Sequence, residues 1–273
     1  MKRPAIAVVT GASAGLGREF ARAIAAHPAF ADLAQIWLVA RRGERLDAVA
    51  RELPAGLGVP IAADLASAAG VEEVLARVRE AEVEVRLFVA NAGCGYLGRF
   101  ADQDADALAR MLDLNIRALS LLTHGLLPTM PRGARVLLVA SAAGYVPSPY
   151  FAAYAASKSY VIALAHALRE ELRPREIAVC AVCPGPVATE FFAEAGGGPI
   201  SAATTPEQVV ALALRDALAG RGASHDGVAS AAVALLARVL PRRTLAWLAG
   251  RRNLRRLPTA AGTRQGAGEK ASG

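Results

Sequence analysis

The chain predicts an α/β fold: a doubly wound parallel sheet with helices on both faces. Three observations carry this. Short aliphatic runs alternate with longer helical patterns from residue 5 to about 218. The runs are nearly continuous in apolar residues instead of alternating, which suits strands covered on both faces. The first run ends in a glycine-rich turn, residues 10–17, that opens directly into a helical pattern. Repeated strand–helix alternation of this kind builds a parallel sheet.

The elements follow in order. Residues 5–10 read as the first strand and 15–27 as its helix. A second strand at 36–40 leads to a helix at 44–53, and a third at 59–63 to a helix at 71–81. The fourth strand, 85–90, ends in Asn91-Ala92-Gly93. One long helix is expected from about 104 to 127, stopped by Pro128, because proline lacks the N–H that a helix interior needs. The fifth strand, 135–140, ends at Ser141. A helix from about 150 to 172 stops before Pro174, and a sixth strand, 177–182, closes on Pro184-Gly185-Pro186. Residues 206–218 read as a further helix. The expected organisation is one domain over 1–257, with a basic amphipathic segment at about 231–257 and a flexible, small-residue tail at 258–273.

Composition limits the function classes. The chain has 273 residues, 54% hydrophobic and 20% charged, enough apolar material for a sizeable core. The net charge of +7 is uneven: residues 238–273 hold nine Lys/Arg against one Asp/Glu. The remainder is close to neutral, so the basicity does not mark the whole chain as a nucleic-acid binder. Three cysteines are an odd number for a disulfide framework, and a reduced, cytoplasmic setting is the expectation. Cys180 and Cys183 have C-x-x-C spacing but lie in and just after an apolar run, so they read as small core residues. Four scattered histidines offer no metal cluster. No secretory signal is evident, and no apolar stretch reaches the roughly 18 residues of a membrane span.

Two constellations carry chemistry. In the turn Thr10-Gly11-Ala12-Ser13-Ala14-Gly15-Leu16-Gly17, glycine permits a tight bend and close approach to a pyrophosphate. The following helix N-terminus presents unpaired N–H groups. The spacing is G-x-x-x-G-x-G, not the commoner G-x-G-x-x-G. Second, Tyr154 and Lys158 stand four apart on a predicted helix and therefore share a face. A nearby ammonium favours the phenolate and should lower the tyrosine pKa, making Tyr154 a candidate general acid/base. Tyr150 and Tyr160 lack a lysine at that spacing. Ser141 lies at the carboxyl end of a strand, where ligands of such sheets bind. Asn115, inside an otherwise apolar helix, needs a reason to be there.

These motifs together resemble the short-chain dehydrogenase/reductase family over roughly residues 4–220. The turn at 10–17 is similar to its cofactor loop, with Gly11, Ser13, Gly15, Leu16 and Gly17 as contacts. Asn91, Ala92 and Gly93 resemble its fourth-strand motif, and Asn115, Ser141, Tyr154 and Lys158 its catalytic tetrad. Pro184, Gly185, Val187 and Thr189 fall in the motif after the sixth strand. The resemblance implies a Rossmann-like fold and hydride transfer between a nicotinamide and a carbonyl or alcohol carbon. It implies that Lys158 bonds the nicotinamide ribose, that Ser141 bonds the substrate oxygen and that Asn115 supports a water relay. For Asn115, helix packing is the plainer alternative. Homo-oligomers built through the helices at 104–127 and 150–172 are common in the family.

The second strand ends in Ala40-Arg41-Arg42, with no carboxylate to bond a ribose diol. Arg41 and Arg42 suit bidentate contact with a 2′-phosphate, which favours NADP(H); the alternative is that they are solvated loop charges. Asp64 and Leu65 resemble the adenine-contacting position, although Asp64 also reads as a helix cap or turn residue.

Tyr96, Tyr145, Phe151, Phe191 and Phe192 are expected near the carboxyl edge of the sheet without a charged cluster, implying an apolar small-molecule substrate. Gly196-Gly197-Gly198 is a candidate lid hinge or a plain surface loop. The basic segment at 231–257 either packs its apolar face on the protein or touches a membrane peripherally. No nucleic-acid motif accompanies it. The expected function is NADP(H)-dependent oxidoreduction of a carbonyl or alcohol. The rival readings are a catalytically idle dinucleotide-binding sensor and a membrane-associated scaffold.

Overall fold

A computed structural model describes residues 3–191, 195–196 and 204–257. Seven parallel strands form one sheet in the order β3-β2-β1-β4-β5-β6-β7. They are β1 (Ala5–Thr10), β2 (Gln35–Ala40), β3 (Gly58–Ala62), β4 (Glu84–Ala90), β5 (Arg135–Val139), β6 (Ala178–Val182) and β7 (Ala223–Ser224). The helices are α1 (Gly15–Ala26), α2 (Gly43–Glu52), α3 (Ala68–Glu80), α4 (Ala105–Leu112), α5 (Leu119–Leu126), α6 (Ala152–Glu171), α7 (Pro206–Leu218), α8 (Val228–Val239) and α9 (Arg242–Leu254).

Successive strand side chains point to opposite faces, and both faces are covered. Ile6, Val8, Val136 and Leu138 pack with Val74 of α3, Leu122 of α5 and Val161 of α6. Ala7, Val9, Leu137 and Val139 pack with Phe20 of α1, Leu46 of α2 and Val210 of α7. The aliphatic runs are uninterrupted because neither strand face meets water. At the centre, β1 pairs with β2 on one side and β4 on the other. The chain leaves β1 toward one helical layer and β4 toward the other, which opens a crevice at the carboxyl ends of these strands.

Two elements differ from expectation. The helix expected over 104–127 is interrupted by a π-helical turn, Asp113–Ala118, between α4 and α5. The six expected strands gain a seventh, β7, whose two residues pair with Ala181 and Val182. The capping box of α7, Thr205 with Gln208, fixes its start where the sequence places it.

Candidate active site

A cleft of about 760 Å³ runs along the carboxyl ends of the strands. Its nucleotide end is the turn after β1. Gly11 and Gly15 hold φ of +66° and +53°, the left-handed region that favours glycine. A Cβ on Gly11 would lie 2.7 Å from Asn91 Nδ2, and one on Gly15 3.3 Å from Thr189 Cγ2. Asn91 ties this turn to β4: its Nδ2 donates to Thr10 O (2.9 Å) and Gly11 O (3.3 Å), while its N–H donates to Thr10 Oγ1 (3.0 Å). The close-packed turn at the N-terminus of α1 fits a pyrophosphate. Gly17 does not line the cleft; it supports the turn from behind, since a Cβ there would fall 2.1 Å from Gly11 O. We expect Gly17→Ala to destabilise the protein by roughly 1–3 kcal/mol, the usual cost of overpacking. Thermal unfolding checks this; an unchanged midpoint would refute it.

Beside the ends of β2 and β3, Ser13, Arg41, Arg42, Asp64 and Leu65 all line the cleft. Arg42 Nη2 donates to Ser13 Oγ (3.2 Å), and its Nη1 lies 3.9 Å from Glu190 Oε2. Arg41 makes no ion pair among the described residues and is exposed. Asp64 is a turn residue that also faces the cleft: its Oδ1 accepts from Ala66 N–H (3.1 Å), and the cap of α3 is Ser67. Arg110, which the sequence reading did not single out, bonds Asp64 at 3.1 Å. Burial opposes ionisation of Asp64, but the bonds from Arg110 and Ala66 N–H and the charges of Arg110 and Arg41 outweigh it and hold its pKa down.

Ser141, Tyr154 and Lys158 converge at the middle of the cleft. The turn after β5 presses on α6: a Cβ on Gly144 would lie 2.7 Å from the Lys158 carbonyl carbon. Tyr154 stacks on Phe151 (ring centroids 4.2 Å apart) and tilts against Phe191 (5.4 Å). Tyr150 and Tyr160 do not line the cleft. The expected downward shift of the Tyr154 pKa is not what the geometry gives. Burial pushes the phenol up, the Ser141 hydroxyl pulls it back and Cys94 adds to the rise. Lys158 is not among the causes. Its ammonium is buried, donates to Val139 O at 2.8 Å and sits 5.7 Å from the Tyr154 ring centroid. Burial drives the Lys158 pKa down to about 8.

Asn115 lies behind the cleft in the π-helical turn, fully buried. Its Oδ1 accepts from Cys94 N–H (3.0 Å), and its Nδ2 donates to Cys94 O (2.9 Å) and Ser157 Oγ (3.1 Å). Ser157 Oγ in turn donates to Tyr154 O. Asn115 thus joins the segment after β4 to α6. A Cβ on Gly93 would come within 3.4 Å of Lys158 Nζ, so this segment passes close over the lysine. Ala92, Gly93, Pro184, Gly185, Val187 and Thr189 line the cleft, as does Leu16.

The substrate end corrects several expectations. Tyr96, Phe151 and Phe191 line it, but Tyr145 does not. Tyr145 turns into the protein, where its hydroxyl donates to Cys183 Sγ (3.3 Å) and lies 3.1 Å from His225 Nε2. Phe192, Gly197 and Gly198 lie outside the described residues. Cys180 and Cys183 are buried, and burial raises their pKa values to about 12 and about 11, as expected of core thiols. The far wall comes from α8, α9 and the turn between them: Val233, Leu236, Leu240, Leu245 and Leu248 line the cleft. Arg252, Arg256 and Asp226 join them, so this end is apolar with charges at its edge, not free of charge as expected. Among the described residues no cluster of metal ligands occurs.

Known proteins share this arrangement. The family model described as short chain dehydrogenase matches residues 5–198. The sulfoacetaldehyde reductase 2 of Chromohalobacter salexigens is 35% identical over 215 residues, 74% of this chain and 83% of that protein. The oxidoreductase UcpA of Salmonella typhimurium is 33% identical over 189 residues, 67% and 69% of the two chains. A Sphingobium yanoikuyae short-chain dehydrogenase solved with NADPH superposes with a TM-score of 0.73 at 30% identity, covering 85% of this chain and 92% of that one. A Burkholderia cenocepacia short-chain dehydrogenase solved with NADP gives a TM-score of 0.69 at 28% identity over 81% and 94%. Sheet order, glycine turn and relatives define an oxidoreductase with a nicotinamide dinucleotide site. The chain belongs to the short-chain dehydrogenase/reductase family.

Proposed function

We propose that the protein interconverts a carbonyl and an alcohol on a largely apolar small molecule, using NADP(H), with Tyr154 as general acid/base. The observation that carries this reading is the meeting of Ser141, Tyr154 and Lys158 in one cleft with the glycine turn of α1. The nicotinamide, when bound, would supply or take up the hydride. The chain's own residues do the rest. Tyr154 gives its proton to the carbonyl oxygen, or takes one from the alcohol, and Ser141 bonds the same oxygen as charge develops. Lys158, held by Val139 O on the same helix face as Tyr154, would bond the nicotinamide ribose when the cofactor is bound. Phe151 and Phe191 fix the tyrosine ring.

Support for NADP(H) comes from the end of β2, where Arg41 and Arg42 stand in place of a carboxylate. Arg41 is exposed, lines the cleft and has no ion-pair partner among the described residues, which suits it to a 2′-phosphate. Two structural relatives carry NADPH or NADP, in line with this choice. Titration of the protein with NADPH and NADH, followed by fluorescence, tests the reading. We expect preference for NADPH, and Arg41→Ala should weaken NADPH by about tenfold or more while NADH changes little, since a charged bond is lost only with the former. Equal losses for both would overturn the role of Arg41.

A further inference from the structure

We propose that α8 and α9 form a docking surface for an anionic phospholipid bilayer, seating the rim of the cleft against lipid. Val228, Leu235 and Val239 are 87%, 63% and 71% exposed and stand at i, i+7 and i+11, one stripe along α8. On α9, Trp247 and Leu254 are 58% and 52% exposed at i and i+7, with the Arg251 guanidinium 4.8 Å from the Trp247 ring centroid. Leu236 and Leu248 on the same two helices are also exposed, whereas the remaining large exposed apolar side chains among the described residues, Phe100, Leu112, Leu121 and Tyr160, are spread over separate elements. Exposed apolar side chains gathered on two consecutive helices mark an interaction site.

Charge identifies the occupant. Residues 227–257 contain seven arginines and no Asp or Glu. A second copy on this face would set seven arginines against seven, with no carboxylate in either segment to offset them. Nucleic acid would satisfy the arginines but leave the aliphatic stripe of α8 in water. Anionic lipid satisfies both: aliphatic side chains enter the acyl boundary, guanidiniums meet headgroup phosphates and tryptophan sits between them. Neither helix is long or apolar enough to cross a membrane, so the pair lies on the bilayer.

The opposite side of α9 is fastened to the protein. Leu245 is buried, and Asn253 Nδ2 donates to Pro149 O at 2.9 Å. Leu248, Arg252 and Arg256 line the cleft and also border an outer hollow with Trp247, Arg251 and Arg255. The cleft rim and the basic apolar surface are therefore continuous. On the reading of the cleft given under Proposed function, an apolar carbonyl compound dissolved in the bilayer would enter without crossing water.

Flotation of the full chain with mixed phosphatidylglycerol–phosphatidylcholine vesicles, against pure phosphatidylcholine, tests the docking. Leu235→Gln/Val239→Gln and Arg242→Gln/Arg243→Gln alter the surface but no cleft residue. We expect wild type to float with the anionic vesicles, and each double variant to bind roughly tenfold or more weakly, because apolar burial and charge both contribute. Trp fluorescence should shift to the blue on binding; Trp37 is buried in the sheet, so the shift reports Trp247. Absence of flotation, equal flotation of the variants, or a dimer that the same substitutions dissolve would each overturn the proposal. NADPH titration in solution runs alongside on folded samples. A protein that floats but binds no NADPH would sink the proposed reaction and leave the docking standing, and the converse would do the reverse.

Discussion

Tyr154→Phe is expected to lower turnover by about 10²–10⁴-fold, the range over which a positioned general acid/base acts. NADPH binding should change little, because the glycine turn, Asn91 and the arginines after β2 are untouched. The ring itself is held by Phe151 and Phe191, so the fold should tolerate loss of the hydroxyl. Steady-state rates on an apolar ketone or aldehyde, paired with the fluorescence titration, check this. Near-normal turnover would remove Tyr154 from the chemistry. The buried phenol makes the experiment sharp: with its pKa held up, Tyr154 rests as the neutral acid, poised to give a proton to a carbonyl oxygen.

Lys158→Met should separate stability from activity. Burial takes the lysine pKa from 10.5 to about 8. A group whose pKa is lower folded than unfolded binds fewer protons in the native state, so stability rises with pH between the two values. Below about pH 8 the buried ammonium therefore costs stability, by about 3 kcal/mol at 1.4 kcal/mol per pH unit. The cost fades between pH 8 and 10.5. Lys158→Met removes it but leaves Val139 O without its donor, which returns roughly 1–3 kcal/mol. We expect the variant without nucleotide to melt at or slightly above wild type at pH 7, to lose that advantage by pH 10, and to lose turnover throughout. A variant that melts far below wild type at pH 7 and gains on it at pH 10 would reverse the sign and show the ammonium to be stabilising.

The parallel sheet was legible because β1, β4, β5 and β6 are buried on both faces and their aliphatic runs say so. Tyr154 and Lys158 were legible because four residues on a helix is a spacing with one geometric meaning. The π-helical turn at Asp113–Ala118 was not, since one extra residue in a helical turn leaves no compositional trace. Nor was β7, whose two residues are a strand only because β6 is there to pair with them. Tyr145 was misplaced because its distance in sequence from Ser141 does not reveal that the intervening 3₁₀ turn aims it at Cys183 and His225. The basic segment was ambiguous for a physical reason: a helix apolar on more than one side carries the same pattern whether protein or lipid covers it. Both α8 and α9 turn some apolar residues inward and leave others outside.

The wall supplied by α8 and α9 also has an evolutionary reading. The family model ends at residue 198, and Ser141, Tyr154 and Lys158 all precede it, whereas Val233, Leu236, Leu245 and Leu248 follow it. The proposed reacting residues and the far wall therefore lie in successive stretches of the chain, joined near the cleft by the hydrogen bond from Asn253 to Pro149. Drift or recombination in the later stretch can redraw which molecules fit while the earlier one is inherited intact. Such a layout lets one chemistry diversify into many specificities by changing the stretch that follows residue 198.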